Sequence, residues 1–192
     1  MNYPSSIFCC IMLLVFTSCE PVPKKQAHPH LGNLADRSYG GLVTTSQNVQ
    51  RISASGKPVS MAQFHGQFVW VDYAAPWCAP CKTQARVIKQ LEHSMKGQVQ
   101  FLTVMTSKSN NYDDVPDQQT AKAWAAKHGL SRDHVVVADN LWSRTIPAHI
   151  LFSPEGQMLY RSTGGLNAAQ IKAVVDQHLA SWKASDLPAE AY

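Results

Sequence analysis

The chain has 192 residues, a formal charge of +4 and 45% apolar residues, which suits one globular domain plus a tail. Its basic excess is mild and its Lys and Arg residues form no run, which argues against a nucleic-acid partner. Of the cysteines, Cys9, Cys10 and Cys19 lie in or beside an N-terminal apolar stretch. Only Cys78 and Cys81 are left for the domain, which excludes a disulfide-stapled scaffold.

Residues 1–18 read as a leader, because 7–16 form an apolar run of signal-peptide length that is short for a bilayer span. Phe16-Thr17-Ser18-Cys19 resembles a bacterial lipobox, in which Cys19 is lipidated and becomes the mature N-terminus. The n-region lacks Lys and Arg, and Phe16 stands where Leu is usual, so an ordinary cleaved signal is the alternative. Glu20 behind Cys19 resembles the pattern sorted to an outer membrane. Residues 19–46 read as a flexible tether: Pro21, Pro23 and Pro29 among Lys, Gln and His build no periodic apolar face.

The domain is expected over 47–183. Val49-Gln50-Arg51-Ile52 and a Ser55-Gly56-Lys57-Pro58 turn open it as a hairpin. The run Phe68-Val69-Trp70-Val71-Asp72-Tyr73-Ala74-Ala75 predicts a buried strand. Ala85, Ile88, Leu91 and Met95 follow at helical spacing. Between strand and helix lies Trp77-Cys78-Ala79-Pro80-Cys81-Lys82, whose two cysteines can close a small disulfide ring across the helix's first turn.

That placement dictates chemistry. A helix N-terminus favours an anion, so the Cys78 thiolate is stabilised, with its sulfur expected toward solvent. Cys81, one turn in, is expected buried with a higher pKa. Cys78 then attacks a substrate disulfide and Cys81 resolves the mixed disulfide. Pro80 suits the first turn, where a missing N–H costs little. Asp72, a carboxylate in an apolar strand, is the candidate acceptor for the Cys81 proton, with its pKa raised by burial.

The next strand is predicted over Val99-Gln100-Phe101-Leu102-Thr103-Val104-Met105. After a polar, turn-rich stretch, Asp117 is an expected N-cap for a helix that stops at Gly129. The segment Asn110-Asn111-Tyr112-Asp113-Asp114 lacks EF-hand spacing and its glycine, and reads as a solvated loop. His134-Val135-Val136-Val137-Ala138 predicts a short strand, and 139–144 a turn of helix. His149-Ile150-Leu151-Phe152 and Met158-Leu159-Tyr160-Arg161 should pair across a Ser153-Pro154-Glu155-Gly156 turn. Asn167 with Gln170 begins a last helix, striped by Ile171, Val174, Val175, Leu179 and Trp182. Residues 184–192 read as a tail.

Val71-Asp72-Tyr73 through Trp77-Cys78-Ala79-Pro80-Cys81-Lys82 resembles the thioredoxin superfamily, including the buried acid six residues before the first cysteine. Ile146-Pro147 resembles its cis-proline loop, and Gly164-Gly165-Leu166 with the closing helix resembles the end of its domain. The hairpin, the Ser60-to-Gly66 phrase and the inserted helix resemble the extracytoplasmic TlpA/ResA-type branch; the resemblance covers about 48–182. It implies an α/β thioredoxin-like fold: a central mixed sheet flanked by helices, with an N-terminal hairpin and an inserted helix.

The same resemblance implies a thiol–disulfide oxidoreductase acting on protein disulfide or thiol clients, as a reductant in an oxidising compartment. No cofactor beyond the redox-active Cys78–Cys81 disulfide, and no metal, is implied. A membrane electron donor of the DsbD or CcdA type and a periplasmic, lipid-anchored location are implied too. Trp77, Ile146 and Pro147 would contact substrate. Thr145 and Ala148 depart from the Gly and Thr common in that branch, whereas Ile146 resembles reducing thioredoxins. A copper carrier using Cys78, Cys81 and His149 is the alternative; His149, on the sheet face of Pro147, could tune the dithiol pKa or ligate copper, but by itself reads as a packed or edge residue. Two-residue spacing, Pro80 and Asp72 favour exchange chemistry.

Overall fold

A computed structural model of the chain describes residues 51–111, 113–137 and 145–185. The leader, the tether with Cys19, the helical turn expected over 139–144, and residues 186–192 lie outside the described residues.

The elements in order are β1 (Arg51–Ile52), β2 (Pro58–Val59), a 3-10 turn (Met61–Phe64), β3 (Phe68–Ala74), α1 (Ala79–Ser94) and β4 (Val99–Met105). Then come α2 (Gln118–His128), β5 (Val135–Val137), β6 (Ala148–Phe152), β7 (Met158–Thr163) and α3 (Ala168–Ser185). Helix α3 thus runs two residues into the segment read as tail.

β1 and β2 pair as the expected antiparallel hairpin. Its turn is closed by the Gly56 N–H donating to Ser53 O, with Gly56 at φ 89°. The hairpin leans on the sheet edge through Ala54 N–H donating to Val135 O.

The main sheet has the order β5-β4-β3-β6-β7. β3 pairs parallel with β4 and antiparallel with β6. Two parallel crossovers step in one direction across the sheet, and α1 and α2 pack on the same face, as the right-handed rule for such units requires; α3 packs beside α1 there. That face joins Trp70, Ala74, Phe101 and Leu151 to Ile88, Trp124 and Ile171 in one core cluster. The other face carries Val69, Val71, Tyr73, Leu102 and Ile150, covered by Val59, Met61 and Phe64. A central strand buried on both faces is continuously apolar rather than alternating, and all seven β3 residues are buried.

Local signals end the helices. Asp117 caps α2 by accepting from the Thr120 N–H at 2.8 Å, and Gly129 stops it in the left-handed region at φ 66°. Asn167 and Gln170 exchange reciprocal 2.9 Å bonds at the start of α3, as a capping box requires.

Candidate active site

The site is assembled where β3 ends. The Ala74 carbonyl accepts from the Thr106 N–H at 2.9 Å and from Thr106 Oγ1 at 3.2 Å, and Ala75 O accepts from the Cys78 N–H at 3.1 Å. These bonds fix the short loop that delivers Cys78 to the N-cap of α1, with Pro80 in the first turn. Cys78 and Cys81 form a disulfide, and Cys78 Sγ accepts from the Cys81 N–H at 3.2 Å. The sulfur therefore occupies the position where a cap oxygen satisfies an orphan donor.

One expectation needs correction. Cys78 is only 4% exposed rather than open to solvent, and Cys81 is fully buried. The cause is the cap geometry itself, which turns the Cys78 side chain back over the first turn of α1. Ala79 and Pro80 beside it are exposed, and Trp77 is half-buried. Trp77 Nε1 donates to Ser107 Oγ at 2.9 Å while the ring packs against the cluster that holds both cysteines.

The Ile146–Pro147 bond is cis. Pro147 is buried, whereas Ile146 is partly exposed and packs against the same cluster as the cysteines. Beside the motif, a groove of about 510 Å³ runs between Pro76 and α2, lined by Lys108, Thr120, Trp124 and Lys127. A larger groove lies at the start of β3 and β4, at the other end of the sheet from the dithiol.

Asp72 is fully buried. Strand alternation sets it on the face of Trp70 and Ala74, which is the dithiol face. Burial pushes its carboxyl above the usual range, and the neighbouring His149 draws it partly back.

His149 is the residue that sequence reasoning undervalued. It stands directly opposite Asp72 in the antiparallel β3–β6 register, and partners opposite one another share a face. Its Nδ1 lies 3.0 Å from Asp72 Oδ1, with both side chains buried. The approach is close, yet it is not aligned as a directed hydrogen bond, and both Asp72 oxygens lack a directed donor among the described residues. The other ring nitrogen, Nε2, lies 2.9 Å from Gly164 O. Nε2 thus faces the Gly164 carbonyl and Nδ1 the Asp72 carboxyl. β7 covers β6, so His149 is packed and not at an edge.

Gln84 of α1 completes the surround: it is buried, and its Oε1 accepts from the Leu166 N–H at 2.8 Å. It ties the active-site helix to the loop that presents the Gly164 carbonyl. Gly164 has φ 90°, a conformation closed to most side chains, and its N–H donates to Pro147 O at 2.8 Å.

Comparison with known proteins agrees with this geometry. The model of the thioredoxin-like domain family matches residues 47–179. Thioredoxin C-2 of Corynebacterium nephridii is 26% identical over 111 residues, covering 58% of this chain and 79% of that protein. Among solved structures, a thiol:disulfide interchange protein of Chlorobium tepidum superposes with a TM-score of 0.56 at 18% identity, covering 68% of this chain and 92% of the other. The pneumococcal exposed lipoprotein thioredoxin of Streptococcus pneumoniae gives a TM-score of 0.54 at 16% identity, covering 67% and 97%. With its Cys78–Cys81 disulfide at the N-terminus of α1, the chain belongs to the thioredoxin-like family of thiol:disulfide oxidoreductases.

Proposed function

We propose that this chain is an extracytoplasmic reductant of protein disulfides, tethered to a membrane through a lipidated Cys19. The observation that carries the exchange mechanism is the asymmetry of the dithiol. Cys78 Sγ caps α1 and accepts the Cys81 N–H, whereas Cys81 is buried on the Asp72 face. A sulfur that accepts a backbone N–H at a helix N-terminus is stabilised as thiolate.

In this reading the Cys78 thiolate attacks one sulfur of a client disulfide, forms a mixed disulfide and expels the other client sulfur as thiolate. Asp72 takes the Cys81 proton. The Cys81 thiolate then attacks Cys78 Sγ, releasing the second client thiolate. Two electrons pass to the client, and the Cys78–Cys81 disulfide remains. Trp77, Ile146 and Pro147 would border the client, and the groove between Pro76 and α2 extends that surface.

The extracytoplasmic, tethered reading is supported by the apolar leader with Cys19 and by structural similarity to an exposed lipoprotein. A membrane electron donor of the DsbD or CcdA type would re-reduce the dithiol. In an oxidising compartment no soluble thiol pool need do so.

The test is a trap. Cys81→Ala should accumulate mixed disulfides with client proteins through Cys78, all released by reductant. Cys78→Ala should form none and lose exchange altogether. A Cys81 variant that captures no thiol-linked protein in cells would overturn the assigned roles.

A further inference from the structure

The proton count of the buried Asp72–His149 pair follows from its contacts. Gly164 O is a carbonyl and can only accept, so His149 Nε2, 2.9 Å away, carries the hydrogen. In a neutral imidazole with Nε2 protonated, Nδ1 bears a lone pair. That lone pair would face Asp72 Oδ1 at 3.0 Å, away from water. Two acceptors held at that distance repel unless one of them carries a proton. The pair therefore holds one proton, formally either as carboxylic acid with imidazole or as carboxylate with imidazolium.

Among the described residues, no other charged side chain stands in register beside either member of the pair. From β4 the register neighbour of Asp72 is Thr103, and from β7 Ser162 stands opposite His149. Among the buried residues, α1 contributes Cys81 and Gln84 as its polar ones, α2 contributes Ala121, Trp124 and Ala125, and α3 contributes Ile171 and Val175. Among the described residues, His149 is the charge partner that draws the Asp72 carboxyl back down. Once the disulfide is reduced, the Cys81 thiol is the only further titratable group in that set.

We propose that His149 is a positioning residue for the exchange reaction: it shares one proton with Asp72 and keeps Asp72 ready to take the proton of Cys81. The inference rests on the reading of Asp72 as proton acceptor. In the carboxylate–imidazolium form the S–H bond of Cys81 breaks and an O–H bond forms on Asp72. The electron pair stays on Cys81 Sγ, and the imidazolium on His149 offsets the new thiolate charge. Attack on Cys78 Sγ then expels the client thiolate, and Asp72 returns its proton to solvent or to that thiolate. Without His149 no described residue offsets burial at Asp72, so the carboxylate form is reached only at higher pH.

Release of client thiol from a preformed Cys78 mixed disulfide, followed against pH in the full chain, tests this. His149→Leu should move the rising limb of the rate profile to higher pH by about one unit, which is about tenfold slower release on that limb. His149→Gln, which keeps a donor toward Asp72, should recover part of the loss. In an Asp72→Asn background, His149→Leu should add nothing. An unmoved limb, or equal slowing in both backgrounds, would reduce His149 to packing and overturn the proposal.

A second readout needs neither turnover nor variant folding. In the ¹⁵N spectrum of the wild-type full chain, His149 Nε2 should be the protonated nitrogen facing Gly164 O, with Nδ1 shifted by the proton it shares with Asp72. A Nδ1 resonance of an isolated, unprotonated imidazole nitrogen would overturn the proposal by itself. If instead Asp72→Asn leaves the rate limb unmoved while the spectrum is as expected, the Asp72 acceptor role fails and the shared proton stands.

Discussion

Replacing Asp72 by Asn removes a buried titratable carboxyl while keeping shape, and gives His149 Nδ1 an amide donor in its place. Burial raises the Asp72 pKa in the folded chain, whereas in the unfolded chain Asp titrates near about 3.9. The folded state thus holds this proton more tightly. The stability Asp72 contributes is whole below about pH 4 and is lost as the pH rises toward the folded pKa. The Asn variant has no such loss. Its stability relative to wild type should therefore climb by about 1.4 kcal/mol per pH unit within that window. Each pH unit inside that window corresponds to roughly 3–6 °C in relative Tm for a chain of this size. Thermal and denaturant unfolding of the oxidised proteins at pH 4.5, 5.5 and 6.5 measures it. A stability difference that stays constant across those pH values would refute the raised pKa and the argument from burial.

The surround of the pair can be probed separately. Gln84→Leu leaves the Leu166 N–H without its acceptor and should cost about 1–3 kcal/mol in denaturant unfolding; no loss would mean that water replaces Gln84 freely. Ile88→Ala, at a fully buried position of α1, should cost about 2–5 kcal/mol in the same assay, and a cost below 1 kcal/mol would mean that the cluster under the dithiol collapses around the gap. Cys19→Ala should release the protein from the membrane fraction, whereas continued retention would contradict the lipid anchor.

Local features were legible because their signals are local. The dithiol, the N-terminal proline, the Asp117 cap and the Gly129 stop each act within a turn or two of chain, and spacing alone places them. β3 and β4 read correctly because strands buried on both faces leave continuous apolar runs. The partnership of Asp72 with His149 was not legible in that way. It depends on the antiparallel register of β3 against β6, two strands far apart in sequence, and a one-residue slip would turn one side chain to the opposite face. His149 lies two residues past Pro147, which fixes its face but not its partner. The burial of Cys78 was missed for a related reason: helix-terminal position predicts a cap, but not which way the cap's side chain folds back.

The reduction potential of the Cys78–Cys81 couple in the full chain, equilibrated against glutathione and thioredoxin references, tests the central claim most directly. A reductant of protein disulfides should lie near the roughly −270 mV of thioredoxin. A value near the roughly −120 mV of DsbA would make the chain an oxidant of folding proteins and contradict the account.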